Sequence, residues 1–252
     1  GGKSLADADK IKKAAKLVAD HISRLGKAVV VASAIADDTD TLLELSKNIG
    51  ITDPSKIDDI VSMGERKSAR IIAAAISELV TRTKLVDVES QLWPIVSDNN
   101  FGNANVLIEE TKTRSRAFAS LLHSNDVIVV PGFIAQTTNG CVATLGRGGS
   151  DTTAFVMADI IGANQIILVS NVPGIMTADP RLDSTATKID KIDAVELSYL
   201  SDCGKKFIHK KSLLYKPSNI NAKLISHDSA SLEDEGTIIT GSLSAEIKER
   251  VR

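Results

Sequence analysis

Apolar residues recur at Ile11, Ala15, Val18, Ile22 and Leu25. Spacings of four and three line one face of a helix, and Gly26 is placed to stop it. Directly after it, Ala28–Ala32 (AVVVA) is short, β-branched and almost wholly apolar, the pattern of a strand buried on both faces. The same alternation returns three times. Helical patterns at 66–80, 113–122 and 152–161 precede strand patterns at 83–88, 126–130 and 165–169. Helix and buried strand in turn predict an α/β fold with a largely parallel sheet. One interruption is a predicted antiparallel hairpin, in which 133–138 and 141–145 flank Asn139-Gly140. Towards the end come a helical stretch at 194–203 and short strands at 222–225 and Thr237–Thr240, with long loops expected at 173–184 and 226–236. With no internal repeat or low-complexity tract, one domain of two lobes meeting at a cleft is expected.

Composition narrows the function classes. A chain of 252 residues with 43% hydrophobic and 25% charged residues can bury a core without metals or disulfides. A net charge of -2 gives no electrostatic footprint for nucleic acid or an anionic membrane, and neither partner is expected. No apolar run is long enough to span a membrane. Cys141 and Cys203 stand far apart, which fits a reducing, cytoplasmic location. The four histidines show no ligand spacing, so no protein metal centre is expected; His123 and His209 fall at helix ends, and Trp93 reads as structural.

The most specific segment is 145–153, LGRGGSDTT, ahead of a helical pattern. Its glycines let the backbone turn tightly and approach a ligand. A glycine-rich loop feeding a helix N-terminus presents N–H groups to anions, and Arg147 adds a planar fork suited to carboxylate or phosphate. The same spacing also describes a plain turn with a solvated arginine. No Walker P-loop and no GxSxG elbow occur.

LGRGGSDTT is similar to the signature of the aspartate kinases, within the amino-acid kinase family. Other segments agree in order. Gly1-Gly2-Lys3-Ser4 resembles the KFGGTS/KFGGSS opening without its lysine and phenylalanine; residues 31–40 (VASAIADDTD) resemble VVSAMGGTTD. Residues 62–66 (SMGER) resemble STGER, Pro131-Gly132-Phe133 matches AGF, and residues 177–181 (TADPR) match the end of YTADPR. Gly204-Lys205-Lys206 matches G-A/S-K, and residues 236–239 (GTII) resemble GTLI.

The resemblance implies a three-layer α/β/α sandwich with a mainly parallel central sheet. It implies a single kinase domain over 1–252, with a substrate lobe at about 1–145 and a nucleotide lobe at about 146–252. ACT regulatory domains are absent from this sequence, so amino-acid feedback is expected to lie elsewhere. The implied reaction moves the γ-phosphoryl group of ATP, with Mg²⁺, to the side-chain carboxylate of L-aspartate, in a cytoplasmic homodimer serving the lysine, threonine and methionine branch. On the substrate side the resemblance assigns Arg147 to the α-carboxylate and Glu65 to the α-ammonium. Ser33, Thr39 and Ser150 supply hydroxyls and Phe133 forms a wall. Asp151 and Lys206 are the implied catalytic pair. Gly1, Gly2, Ser170, Asn171, Met176 and Arg181 line the nucleotide with Lys206. Without the resemblance, Glu65 reads as a solvated first-turn helix residue, and Lys205-Lys206 as a solvated surface run.

Three departures from the pattern stand out: Ser170-Asn171-Val172-Pro173-Gly174 stands for TDVDG, Met176 for tyrosine and Lys3 for Thr or Ser. Two alternatives therefore stand beside an aspartate kinase: a related kinase with another acceptor or nucleotide, and a non-catalytic amino-acid-binding paralogue.

Overall fold

The computed structural model describes residues 2–178, 183, 185–202 and 208–251. A short 3-10 helix, Gly2–Leu5, leads into α1 (Ala8–Leu25). The Asp7 carboxylate caps α1 by accepting from the Lys10 N–H at 2.9 Å. Gly26, at φ 103°, ends the helix where a side chain would be strained. Then follow β1 (Ala28–Ala32), α2 (Asp38–Asn48), α3 (Pro54–Ser77), β2 (Thr83–Leu85), β3 (Val96–Ser97), α4 (Ile108–Ser124) and β4 (Val127–Pro131). The hairpin β5 (Ile134–Thr137) and β6 (Val142–Thr144) precedes α5 (Gly149–Ile161) and β7 (Ile166–Ser170). The chain finishes with β8 (Lys191–Asp193), α6 (Ala194–Asp202), α7 (Lys210–Leu213), β9 (Ala222–Ser226), β10 (Thr237–Thr240) and α8 (Ala245–Val251).

Strands form three sheets among the described residues, in the orders β1-β4-β2, β3-β5-β6 and β7-β9-β10-β8. The first is wholly parallel, with Ala28 opposite Val127 and Ala32 opposite Pro131. The others are mixed; β7 and β9 run parallel and β10 antiparallel to β9. Central β4 is buried along its whole length. Val127 and Val129 pack with α1 and α3 through Ala15, Ala69, Ile72 and Ile76, whereas Ile128 and Val130 pack with Phe118 of α4 and Met157 of α5. That alternation makes the expected α/β/α layering. Helix α5 also sends Phe155 and Ala158 into a further core with β7, β9, α6 and α7.

Several expectations need correction. Strand β1 is mostly half-buried rather than buried on both faces, because it is an edge of its sheet. Edge strand β7 faces the same apolar cavity, of about 630 Å³, lined by both strands with Leu17 and Val18 of α1 and Ala154 and Met157 of α5. The helix expected at 66–80 starts twelve residues earlier at Pro54, where Asp53 accepts from the Ser55 N–H and proline fits the first turn. The hairpin turn has three residues rather than two. The Thr137 N–H donates to the Cys141 carbonyl and the Gly140 N–H to the Thr137 carbonyl, with Gly140 left-handed at φ 85°. Helix α2 has no counterpart in the sequence reading. Cys203 lies outside the described residues, and Cys141 is exposed and free.

Candidate active site

Three strands deliver their C-terminal ends to one region. β1 and β4 are parallel, and Gly132, just past β4, lies against Ser150 at the start of α5. Only four residues separate the end of α5 from the start of β7, so β7 starts at the far end of that helix and runs the same way as β1. Ligands of parallel α/β sheets bind at such carboxyl ends.

The first wall is built by the loop after β1 and by α3. Ala36 holds a left-handed φ of 49° in this loop, a conformation alanine rarely adopts. Gly64 lets α3 approach it: a Cβ there would stand 3.2 Å from the Ala34 Cβ. Glu65 follows, 4% exposed, rather than solvated as a lone helix glutamate would be. The Thr39 hydroxyl donates to its Oε1 at 3.4 Å, while Oε2 is buried with no partner among the described residues. Burial pushes its pKa up to about 7, against the pull of the Ala34 N–H and the Thr39 hydroxyl, and Asp38 pushes the same way. The neighbouring Arg66 is anchored at Asp87, 3.1 Å, and Glu89, 2.6 Å, which fixes this turn of the helix.

The glycine loop makes the second wall. Gly146 and Gly148 are left-handed at φ 74° and 75°, as a tight turn into α5 requires. A Cβ on Gly149 would stand 2.5 Å from the Phe133 ring, and one on Gly132 would stand 2.8 Å from the Ser150 Oγ. These missing side chains allow Pro131-Gly132-Phe133 to rest on the start of α5. Phe133 is itself left-handed, φ 66°, and its N–H donates to the Thr153 Oγ1 at 3.1 Å. Strain of this kind concentrates at functional sites. Arg147 projects exposed from the loop. Burial, then the charges of Arg147 and Lys211, hold His209 below its usual pKa.

Ser33, Ser150 and Asp151 line the polar part of the cavity with Ser4. Burial raises the Asp151 pKa to about 6. Ser170 ends β7 and Asn171 follows it; the Ser170 carbonyl accepts from the His227 N–H at 2.7 Å, and the Ser170 hydroxyl donates to the Asn171 Oδ1 at 3.5 Å. Met176 is half-buried and bridged to Lys188. Gly2 lies in the 3-10 helix. Gly1, Arg181 and Lys206 fall outside the described residues. Sequence reasoning missed Asp38, Asp58, Lys211 and left-handed Ala36. Only the glycine spacing hinted at the close packing, and nothing in a Lys210-Lys211 pair signals burial.

A model of the amino acid kinase family matches residues 1–226. This chain belongs to the amino acid kinase family. Among curated relatives it is similar to the aspartokinase of Rickettsia felis, 34% identical over 250 residues, covering 95% of this chain and 59% of that protein. The aspartokinase of Mycobacterium tuberculosis is 33% identical over 248 residues, covering 96% and 56%. The chain thus spans less than two thirds of these relatives' length. Among solved structures, E. coli aspartokinase III in complex with aspartate and ADP superposes with a TM-score of 0.82 at 26% identity, over 97% of this chain and 64% of that one. The uridylate kinase of Archaeoglobus fulgidus, TM-score 0.60 at 19% identity, covers 95% of this chain and 96% of its own, and shares the fold. Members of this fold therefore range from chains of this span to longer ones.

Proposed function

We propose that this chain is the catalytic unit of an aspartate kinase, transferring the γ-phosphoryl group of ATP to the side-chain carboxylate of L-aspartate. Buried Glu65 with its unpaired Oε2 carries the reading. A carboxylate held out of water without a cation calls for one, and the α-ammonium of an amino acid supplies it. Arg147, exposed on a rigid loop, takes the α-carboxylate in a bidentate pair. Thr39, Ser33 and Ser150 orient the substrate by hydroxyl contacts, and Phe133 closes one side. The similarity to aspartokinases, one of them solved with aspartate and ADP, supports both substrates.

Transfer is an in-line attack by the substrate carboxylate on the γ-phosphorus. A carboxylate O–P bond forms as the bridging O–P bond to ADP breaks, giving an acyl phosphate with no covalent enzyme intermediate. Such reactions need chiefly positioning and charge neutralisation. Asp151 is the one acid among the proposed site residues on the nucleotide side. It suits Mg²⁺, which binds through one or two carboxylates plus substrate phosphates; the ion would neutralise charge on the transferring group. Lys206 would add a cation at the phosphates, with Gly1, Gly2, Ser170, Asn171, Met176 and Arg181 around the nucleotide. On this reading 1–145 is the substrate lobe and 146–252 the nucleotide lobe of one kinase domain. The protein works as a cytoplasmic homodimer in aspartate-derived amino-acid synthesis.

The test is initial-rate ADP release by the intact protein with Mg-ATP and L-aspartate, N-acetyl-aspartate or succinate. ADP release with aspartate alone is expected. Equal rates with N-acetyl-aspartate would remove Glu65 from its role, and a faster different acceptor would favour a related kinase.

A further inference from the structure

Lys211 is 8% exposed. Its Nζ lies 2.9 Å from the Asn103 carbonyl, 2.8 Å from the Asn103 Oδ1, 2.8 Å from the Ala104 carbonyl and 3.0 Å from the Leu145 carbonyl. Burial lowers its pKa, opposed by the charge of Asp98. A surface lysine does not gather four oxygens from two distant segments; this one replaces a hydration shell with protein carbonyls.

The two segments bear on the acceptor site. Leu145 immediately precedes Gly146-Arg147-Gly148. Gly146 sits so close to Asn103 that a Cβ would stand 2.3 Å from its Oδ1. On the other side Gly148 rests on His209 and Ser212, at Cβ distances of 2.6 and 3.2 Å. The arginine loop is thus held between the 99–105 turn and α7. That same turn is fastened to α3: the Asp58 Oδ2 accepts from the Gly102 N–H at 2.8 Å and the Thr144 N–H at 2.6 Å, and its Oδ1 from the Thr144 hydroxyl at 2.9 Å. Helix α3 carries Glu65 two turns further on.

We propose that Lys211 is a positioning residue that sets Arg147 at a fixed separation from Glu65, and so fits the site to an α-amino acid. The chain of contacts runs Glu65–α3–Asp58–turn 99–105–Lys211–Leu145–Arg147. Each link is a buried or partly buried hydrogen bond or a covalent segment. The acceptor part of this inference rests on the aspartate reading; the loop-fastening part does not.

Hydrogen exchange of the 145–149 amides therefore comes first, in the intact protein and in Lys211→Met. We expect exchange there to be about 10-fold faster or more in the variant, with β4 and β9 still protected. We further expect an aspartate KM raised about 10-fold with an ATP KM little changed, and partial recovery in Lys211→Arg. Should Lys211→Met fail to fold, Asn103→Ala removes one acceptor, leaves the lysine, and serves the same comparison. Unaltered exchange at 145–149 in a folded variant overturns the proposal. So does faster exchange with unchanged aspartate KM, or an equal rise in both KM values. If the unmodified protein does not use aspartate, the functional reading falls instead, and the exchange rates alone decide whether Lys211 fastens the loop.

Discussion

Glu65 titrates in a range where ordinary pH changes move its charge. Its folded pKa of about 7 lies above the ordinary glutamate value of 4.5, so between these values the folded chain binds a proton that the unfolded chain has lost. Stability contributed by the neutral form is therefore lost as pH rises through that window. Glu65→Gln should raise stability at pH 8 by roughly 2 kcal/mol and leave it little changed near pH 4, measured by urea denaturation at the two pH values. Function runs the opposite way. Aspartate KM should rise as pH falls below about 7, because the ammonium loses its counter-charge, and the Gln variant should bind poorly at every pH. Arg147→Ala should lower kcat/KM for aspartate by about 100-fold or more while sparing the KM for ATP, read from initial rates; an unchanged kcat/KM would remove Arg147 from the site.

At the scale of elements, the contact between the end of β4 and the start of α5 depends on absent side chains. Gly132→Ala places a methyl 2.8 Å from the Ser150 Oγ and 3.0 Å from the Val31 Cγ1. It should cost about 1–3 kcal/mol and move Ser150, seen as a lower urea midpoint with a raised aspartate KM. The glycine run was legible in the sequence, and so were α1, β1, β4 and α5, because their periodicity is strong and local. Helix α2 was not, since DTDTLLELSKN carries several acids and only a short apolar cluster beside a loop whose geometry depends on left-handed Ala36. The half-burial of β1 was also beyond reach, because edge position is a property of the sheet. Lys211 and Asp58 escaped for the same reason: their partners lie 66 to 108 and 44 to 86 residues away.

Over the whole molecule, α5 joins the cores, with Phe155 in one and Val156 and Met157 in another. Phe155→Ala should cost about 3–5 kcal/mol and lower a single unfolding transition seen alike by far-UV circular dichroism and Trp93 fluorescence. Two separated transitions would mean that the lobes are held by little more than linkage. Shared α5 also ties the arginine loop at its start to β7, which follows its end. The most direct test of this arrangement as an aspartate kinase is trapping of the product. The intact protein is incubated with Mg-ATP, L-aspartate and hydroxylamine, and the hydroxamate is measured. Hydroxamate forming with aspartate, in step with ADP release, is expected; measurable aspartate binding with neither hydroxamate nor ADP would contradict phosphoryl transfer and leave a binding protein.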